Sequence, residues 1–447
     1  MLLGRAGFGC FGSLFFGGLS RITSCDSRHL RLVLVLAHAV FSQLKSLLAG
    51  RLSRLSINHE SIGVNVTIIV VFIIVTLALS TSAAVILLAR TVWALNRYAY
   101  RPIKTAEQLK TPTISVCIAA RNEMHALAQC LERVLKSDYS KLEVLVLDDS
   151  SNDDTSLIIK SFAHAGVRFI AGGSLPAGWL GKNHAYQTLI SESSGEYILF
   201  LDVDTIISED TISKLMGQLL ANEKSMVSAL PRRDDSQHVS AIFGTMRYYW
   251  ELLLGTKKSP PAASAIWMVE RAKLAQAGVG LENYGMSVRP ERHLARQLQA
   301  TKDYYYLVSN KDLGIGFEKR LISQYETALR LYYPMSGRTF VYWMLTSIFL
   351  LVLIAPIPII IFSPGVLAAV WACVVTLLIA LSFALFTLRT YGGGLKLLHI
   401  LFGPLLVVQE LLLLAMSHIK YRLGTVTWKG RSINAQPSKH DAISLNE

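Results

Sequence analysis

Tyr197–Ile198–Leu199–Phe200–Leu201–Asp202–Val203–Asp204, YILFLDVD, is the stretch whose reading decides the fold. Four large apolar side chains in a row, Ile198 to Leu201, fit a strand buried on both faces, as in a parallel sheet covered by helices. The run then stops at two acids one residue apart, so Asp202 and Asp204 belong where the strand leaves the sheet. Ligands of open α/β sheets collect at that edge. In an extended chain residues i and i+2 point the same way, so both carboxylates can meet one hard cation, or one can take a metal and the other a sugar hydroxyl. An isolated Asp-x-Asp also marks ordinary solvated turns, and the neighbouring segments must separate the two readings.

Outward from this strand the chain alternates between β and α patterns. Thr111–Pro112 closes a linker, and ISVCIA (Ile114 to Ala119) reads as a first strand, followed by Ala120–Arg121–Asn122–Glu123 and a helical pattern to about Lys136. Leu142 to Leu147 is a second strand ending on an acid-rich turn, Asp148 to Thr155. Val167 to Ala171 is a third strand, Lys182 to Ser193 a helix, and Glu209 to Leu220 another. Such alternation predicts an α/β fold, a mostly parallel Rossmann-type sheet with helices on both faces. The turns after strands one, two and four then share one rim.

The composition adds a second compartment. The chain has 447 residues, 52% of them hydrophobic and 17% charged, with a mean hydropathy of +0.40, too apolar for an ordinary soluble protein. Val64 to Ala89 carries no charge for 26 residues, enough to cross a hydrocarbon core of ~30 Å. Arg90, Arg97, Arg101 and Lys104 follow, and the positive-inside rule puts the downstream domain in the cytoplasm. A second apolar block from Arg338 to Leu388 is interrupted by Pro356, Pro358 and Ser363–Pro364–Gly365, which fits two spans joined by a short outer turn. Leu395 to Ile419 contains Lys396, His399, Pro404, Gln409 and Glu410; a full crossing would strand the basic tail outside, so a re-entrant or interfacial segment is expected. The expected organisation is a basic arm or leader (1–60), a transmembrane helix (61–90), a linker (91–111), a cytoplasmic α/β domain (112–337), membrane segments (338–419) and a basic tail (420–447), in an integral protein of the plasma membrane.

The formal net charge of +13 raises the question of nucleic acid. The basic residues cluster beside apolar segments instead of forming a stripe with interleaved aromatics, so anionic headgroups are the expected partner and nucleic acid is not. Five cysteines without CxxC spacing, one of them, Cys117, inside a core strand, read as reduced structural thiols.

Two further segments carry chemistry. In Asp148 to Thr155 the acids either cap the next helix or, at Asp149, reach a base or ribose. PAGWLGKN (Pro176 to Asn183) combines glycines, Trp179 and Lys182 at a helix start. Gly181 permits close backbone approach, the helix N-terminus favours anionic oxygens, and Lys182 supplies a point charge for phosphate. An exposed loop pinned by a packed Trp179 is the plainer alternative. The spacing is not that of a P-loop.

SVCIAARNE, EVLVLDDSSNDDT, GWLGKNHA and YILFLDVD, in this order, resemble the membrane-bound family 2 glycosyltransferases with a GT-A fold. GWLGK and Trp428–Lys429–Gly430–Arg431 are most similar to the branch associated with hopanoid, carotenoid and other lipid glycosylation. The resemblance covers 112–300 well and the later membrane segments loosely. It implies a nucleotide-diphosphate sugar donor, Mg²⁺ or Mn²⁺, and inversion at the anomeric carbon. Ala120 and Glu123 would flank the nucleotide, Asp149 would bind uracil or ribose, Asp202 and Asp204 would be the metal-binding pair, and Trp179, Gly181 and Lys182 would contact the donor. The family's general base maps to Glu291 in Arg289–Pro290–Glu291–Arg292, where the acid that normally precedes it is a proline. Glu291 could equally be a helix-start acid, and Glu282 is the next candidate base. The Gln-x-x-Arg-Trp signature of processive synthases does not occur, which favours addition of a single sugar. Ala263 to Glu270 reads either as an acceptor-side wall or as a core strand. Tethering to the bilayer favours a lipid or lipid-linked acceptor. A non-catalytic membrane scaffold, and more remotely a transporter, are the competing classes.

Overall fold

The computed structural model describes residues 59–103, 111–234, 242–256, 258–275, 281–337, 339–363, 365–394, 396–429 and 431–432, with residues 42 and 46. Nearly all of the 1–60 arm, part of the linker, Gly430 and the tail beyond 432 lie outside the described residues.

The strands are β1 (Ile114–Ala120), β2 (Leu142–Asp148), β3 (Val167–Ala171), β4 (Tyr197–Leu201), β5 (Thr205–Ile206), β6 (Met226–Leu230), β7 (Arg232–Arg233), β8 (Ile266–Glu270), β9 (Tyr304–Val308) and β10 (Gly316–Phe317). Seven form one sheet in the order β3-β2-β1-β4-β8-β6-β9, with β5, β10 and β7 in a small second sheet. Only β8 runs antiparallel in the large sheet, between β4 and β6. This is the mostly parallel α/β arrangement that the alternation predicts.

The period of two along each strand sorts side chains onto two cores. Leu199 and Leu201 face one core with α2 (Leu127–Leu135), α3 (Thr155–Ser161) and α5 (Thr211–Ala221). Ile198 and Phe200 face the other, with α4 (Gly181–Glu192), α6 (Arg247–Leu254) and α7 (Pro290–Ala300). Within β8, Trp267 is fully buried and stacks on Phe200 at 4.1 Å, so Ile266–Glu270 is a core strand. Only Ser264 and Ala265, just before it, reach the cleft described below.

Helix α1 (His59–Arg97) precedes the sheet; α8 (Leu321–Met335), α9 (Phe340–Ile354), α10 (Pro356–Phe362), α11 (Val366–Thr390), α12 (Lys396–Leu401) and α13 (Gly403–Arg422) follow it. Among the described residues, three helical stretches are long and apolar enough to cross a membrane: Thr67–Arg97, Phe340–Phe362 and Val366–Thr390. Pro356 opens α10 at a position that tolerates proline, so the second stretch continues past it to Phe362.

Polar contacts dock these helices on the sheet domain. Thr91 of α1, Ser382 of α11 and Tyr249 of α6 share a buried hydroxyl cluster, with Thr91–Ser382 at 2.7 Å and Tyr249–Ser382 at 2.6 Å. Arg90 donates to the carbonyls of Leu253 and Gly255 at 2.6 and 2.8 Å, which satisfies the C-terminal end of α6. Helix α13 buries Leu406, Val407, Glu410, Leu413 and Leu414 and exposes Leu405, Leu412, Met416 and Ile419. Beyond it a hairpin, β11 (Thr427–Trp428) with β12 (Arg431–Ser432), returns to the sheet's rim.

Candidate active site

The C-terminal ends of β2, β1 and β4 lie side by side, with Ala120 level with Asp148 and Ile114 level with Tyr197. The turns after β1 and β2 are laced together: Ser151 Oγ accepts from the Asn122 amide and Asn122 Oδ1 from the Asn152 amide, both at 2.9 Å. Asn122 and Ser150 hold positive φ, 51° and 55°, which for asparagine is an accessible region.

The acid-rich turn divides its labour. Asp148 accepts from the Ser151 amide and hydroxyl and from Ser156, and Asp153 from Thr155 and the Met124 amide; both therefore hold backbone. Asp149 is left to face the rim. Its amide donates to Ala120 O at 2.8 Å, and its carboxylate accepts both contacts from Arg431 Nη1, at 2.9 and 2.7 Å. Glu123 accepts from Lys429 Nζ. Ala120 is itself buried, at 1% exposure, and can contribute only backbone.

A cleft opens beside this rim and is lined by Trp179, Gly181, Lys182, Asp202, Asp204 and Glu291 among others. Ala120, Glu123 and Asp149 do not line it; Arg431 does, and connects Asp149 to it. Six basic side chains and three acidic ones line the cleft, an excess of positive charge that suits a phosphate-bearing ligand.

Each acid of the β4 pair carries a lysine. Lys182 Nζ lies 2.6 Å from Asp202 Oδ1, and Lys319 Nζ 3.2 Å from Asp204 Oδ2. Burial works against the charge on Lys182, but Asp202 and Tyr186 more than offset it and hold the ammonium above the ordinary lysine value. Burial likewise opposes the charge on Asp204, yet Lys319 keeps its carboxyl below the usual range. Among the described residues no three or more His, Cys, Asp or Glu are placed to hold a metal. Two carboxylates lining a cleft rich in basic side chains still fit Mg²⁺ or Mn²⁺ in the manner of sites that use one or two carboxylates plus the substrate's phosphates.

Loop 176–181 is fastened from behind. Leu180 N donates to Gly285 O at 2.8 Å, Trp179 packs over Gly285, and the Asn183 amide donates to the carbonyls of Tyr284, Gly285 and Ser287 at 3.0, 2.9 and 2.7 Å. Asn183 thus ties α4 to the turn that leads into α7. Glu291 stands in the first turn of α7 after Pro290, 2% exposed. Burial raises its pKa against the pull of Arg289, whose Nε is 3.3 Å away. Arg289 also donates to Glu251 and, at 2.5 Å, to Ala262 O. Its Nη1 has no partner among the described residues, which leaves a donor beside the cleft. Glu282, by contrast, is exposed and bound to Gln187, away from the cleft.

Sequence reasoning passed over Glu251, Lys319, Arg330 and the roles of Asn183 and Arg289. Nothing in their local spacing distinguishes them from core-edge residues. Arg289→Met should leave the buried Glu291 without its ion-pair partner and Glu251 with Arg247 alone, 3.6 Å away, and cost about 3–5 kcal/mol of stability; thermal unfolding in detergent checks this.

Residues 115–259 match the profile of Glycosyl transferase family 2. An N-acetylglucosaminyltransferase of Sinorhizobium fredii is 34% identical over 131 residues, 26% of this chain and 31% of that protein. A 4,4'-diaponeurosporenoate glycosyltransferase of Staphylococcus aureus is 28% identical over 151 residues, 31% of this chain and 40% of that one. The chain spans between 27% and 40% of the length of curated relatives such as these. Among solved structures, a mannosyltransferase of Pyrobaculum calidifontis in complex with GDP-Man and Mn²⁺ aligns over 77% of this chain and 98% of its own, at 16% identity and a TM-score of 0.46. The matched segment, 115–259, runs from β1 through α6.

Proposed function

We propose that this chain is a membrane-bound family 2 glycosyltransferase that moves one sugar, with inversion, from a nucleotide-diphosphate donor to a hydroxyl of a lipid or lipid-linked acceptor at the cytoplasmic face. The observation that carries the reading is the single cleft onto which Lys182, Asp202, Asp204 and Glu291 open, at the rim where β1, β2 and β4 end. An acceptor hydroxyl gives its proton to Glu291 as its oxygen bonds to the anomeric carbon. The bond from that carbon to the diphosphate breaks on the opposite face, and Lys182 meets the charge that grows there. A divalent cation held by Asp202, Asp204 and the donor's phosphates would neutralise the same charge.

Support for a lipid acceptor comes from a second pocket between α6, α8, α9 and α13, lined mainly by apolar side chains such as Trp250, Met335, Phe349 and Leu350, with Glu410 also at its wall. Helices α6 and α8 separate it from the cleft: Arg247 and Arg330 face the cleft, Trp250 and Tyr332 the apolar pocket. Thr346→Phe, which fills the pocket, should raise the apparent KM for the lipid acceptor several-fold and leave donor hydrolysis unchanged. The overall reading is tested by incubating membranes with labelled UDP- and GDP-sugars and following label into the lipid extract. No label from any donor, with no donor hydrolysis, would favour the non-catalytic scaffold.

A further inference from the structure

Glu251, Arg289 and Glu291 form a buried chain of contacts. Arg289 donates through Nη2 to Glu251 Oε1 and, at 2.5 Å, to Ala262 O, and it meets Glu291 through one hydrogen bond, Nε to Oε1 at 3.3 Å. Glu251 Oε1 also accepts from the Ala262 amide at 3.2 Å, and its Oε2 lies 3.6 Å from Arg247 Nη1. Arg289 and Glu291 line the cleft, whereas Glu251, on α6, does not. It can therefore act on the chemistry only through Arg289.

Burying two carboxylates around an arginine is a weak device for stability, because apolar side chains of similar volume often serve as well. Its consequence here is geometric. A guanidinium free to turn its fork onto Glu291 would take both oxygens, hold them ionised and weaken the group as a base. With Nη2 fixed on Glu251 and Ala262, one contact remains. The charge of Glu251 also opposes the pull of Arg289 on Glu291. Lys182 on α4 and Arg330 on α8 add positive charge near Glu291, and Glu251 works against them as well. Tyr186 and Tyr304, also close, are kept protonated by burial. On α7 itself Arg292 donates to Ser259 and His293 stacks on Tyr284.

We propose that Glu251 is a positioning residue for the transfer step: by holding the terminal nitrogen of Arg289 it limits that guanidinium to one contact on Glu291 and leaves the base free to take the acceptor's proton. The inference rests on Glu291 as the general base.

The full chain in membranes is assayed for transfer from the UDP- or GDP-sugar that labels the lipid extract, with kcat and KM followed from about pH 4 to 9. The proteins compared are the unaltered chain, Glu251→Gln, Glu251→Asp and Glu291→Gln. Glu251→Gln removes the charge at constant size, so Arg289 acts on Glu291 unopposed. Its acid limb should move to lower pH by roughly half a unit to one unit. On the plateau kcat should fall about 3–30-fold with the donor KM unchanged. Glu251→Asp keeps the charge and should return the limb to its place in the unaltered chain. A limb that stays in place in Glu251→Gln would overturn the inference, because a residue that only packs changes the rate or the unfolding temperature and not the limb. Failure of Glu251→Gln to fold would also overturn it, since Glu251 would then hold the fold and not the base. A limb that persists in Glu291→Gln, or no transfer from any donor, would instead remove the base assignment, and this inference with it.

Discussion

Glu291→Gln should bind the nucleotide sugar normally and turn over about 10²–10⁴ times more slowly, the usual contribution of a positioned general base. The amide keeps the size of the side chain and a carbonyl oxygen for Arg289 Nε, now 3.3 Å away, but cannot take the acceptor's proton. Burial raises the Glu291 pKa above its ordinary value of 4.5, with Arg289 pulling the other way. The active form is the carboxylate, so the rate should fall as pH is lowered through that raised value, at a higher pH than an exposed glutamate would give. A profile of kcat/KM against pH should contain this acid limb in the unaltered protein and lack it in Glu291→Gln. Normal turnover by the variant would move the base elsewhere.

Asp204→Ala should lose about 10²–10³-fold or more in transfer and in metal-dependent donor hydrolysis together. The substitution removes one of the two β4-end carboxylates and leaves Lys319 without its partner 3.2 Å away. The cleft becomes more positive, so metal-independent binding of a nucleoside diphosphate should be unchanged or tighter while the increment produced by added Mn²⁺ disappears. Titrating donor hydrolysis with MnCl₂ in both proteins measures that increment. An unchanged response to Mn²⁺ would reject Asp204 as a ligand.

Much of the architecture was legible along the chain because its signals are local. The apolar run that stops at Asp202 could only be a buried strand meeting an edge, and the strand alternation required β1, β2 and β4 to end on one rim. Uncharged stretches of span length marked the membrane helices in the same way. The acid-rich turn after β2 was ambiguous by its nature, since capping and ligand binding draw on the same residues. Only the fold separates Asp148 and Asp153, which hold backbone, from Asp149, whose carboxylate is taken by Arg431. The tertiary structure alone brings Lys319 to Asp204, Arg289 between Glu251 and Glu291, and Arg431 to Asp149. The last pair is 282 residues apart in sequence, and no spacing rule reaches that far. Local periodicity sets which face of a strand or helix is buried, whereas the partner of a charged group depends on where separate elements pack. The sequence by itself therefore determined the sheet, the rim where its strands end and the apolar helices of span length, and the packing of the hairpin and helices around that rim decided which charges stand opposite its acids.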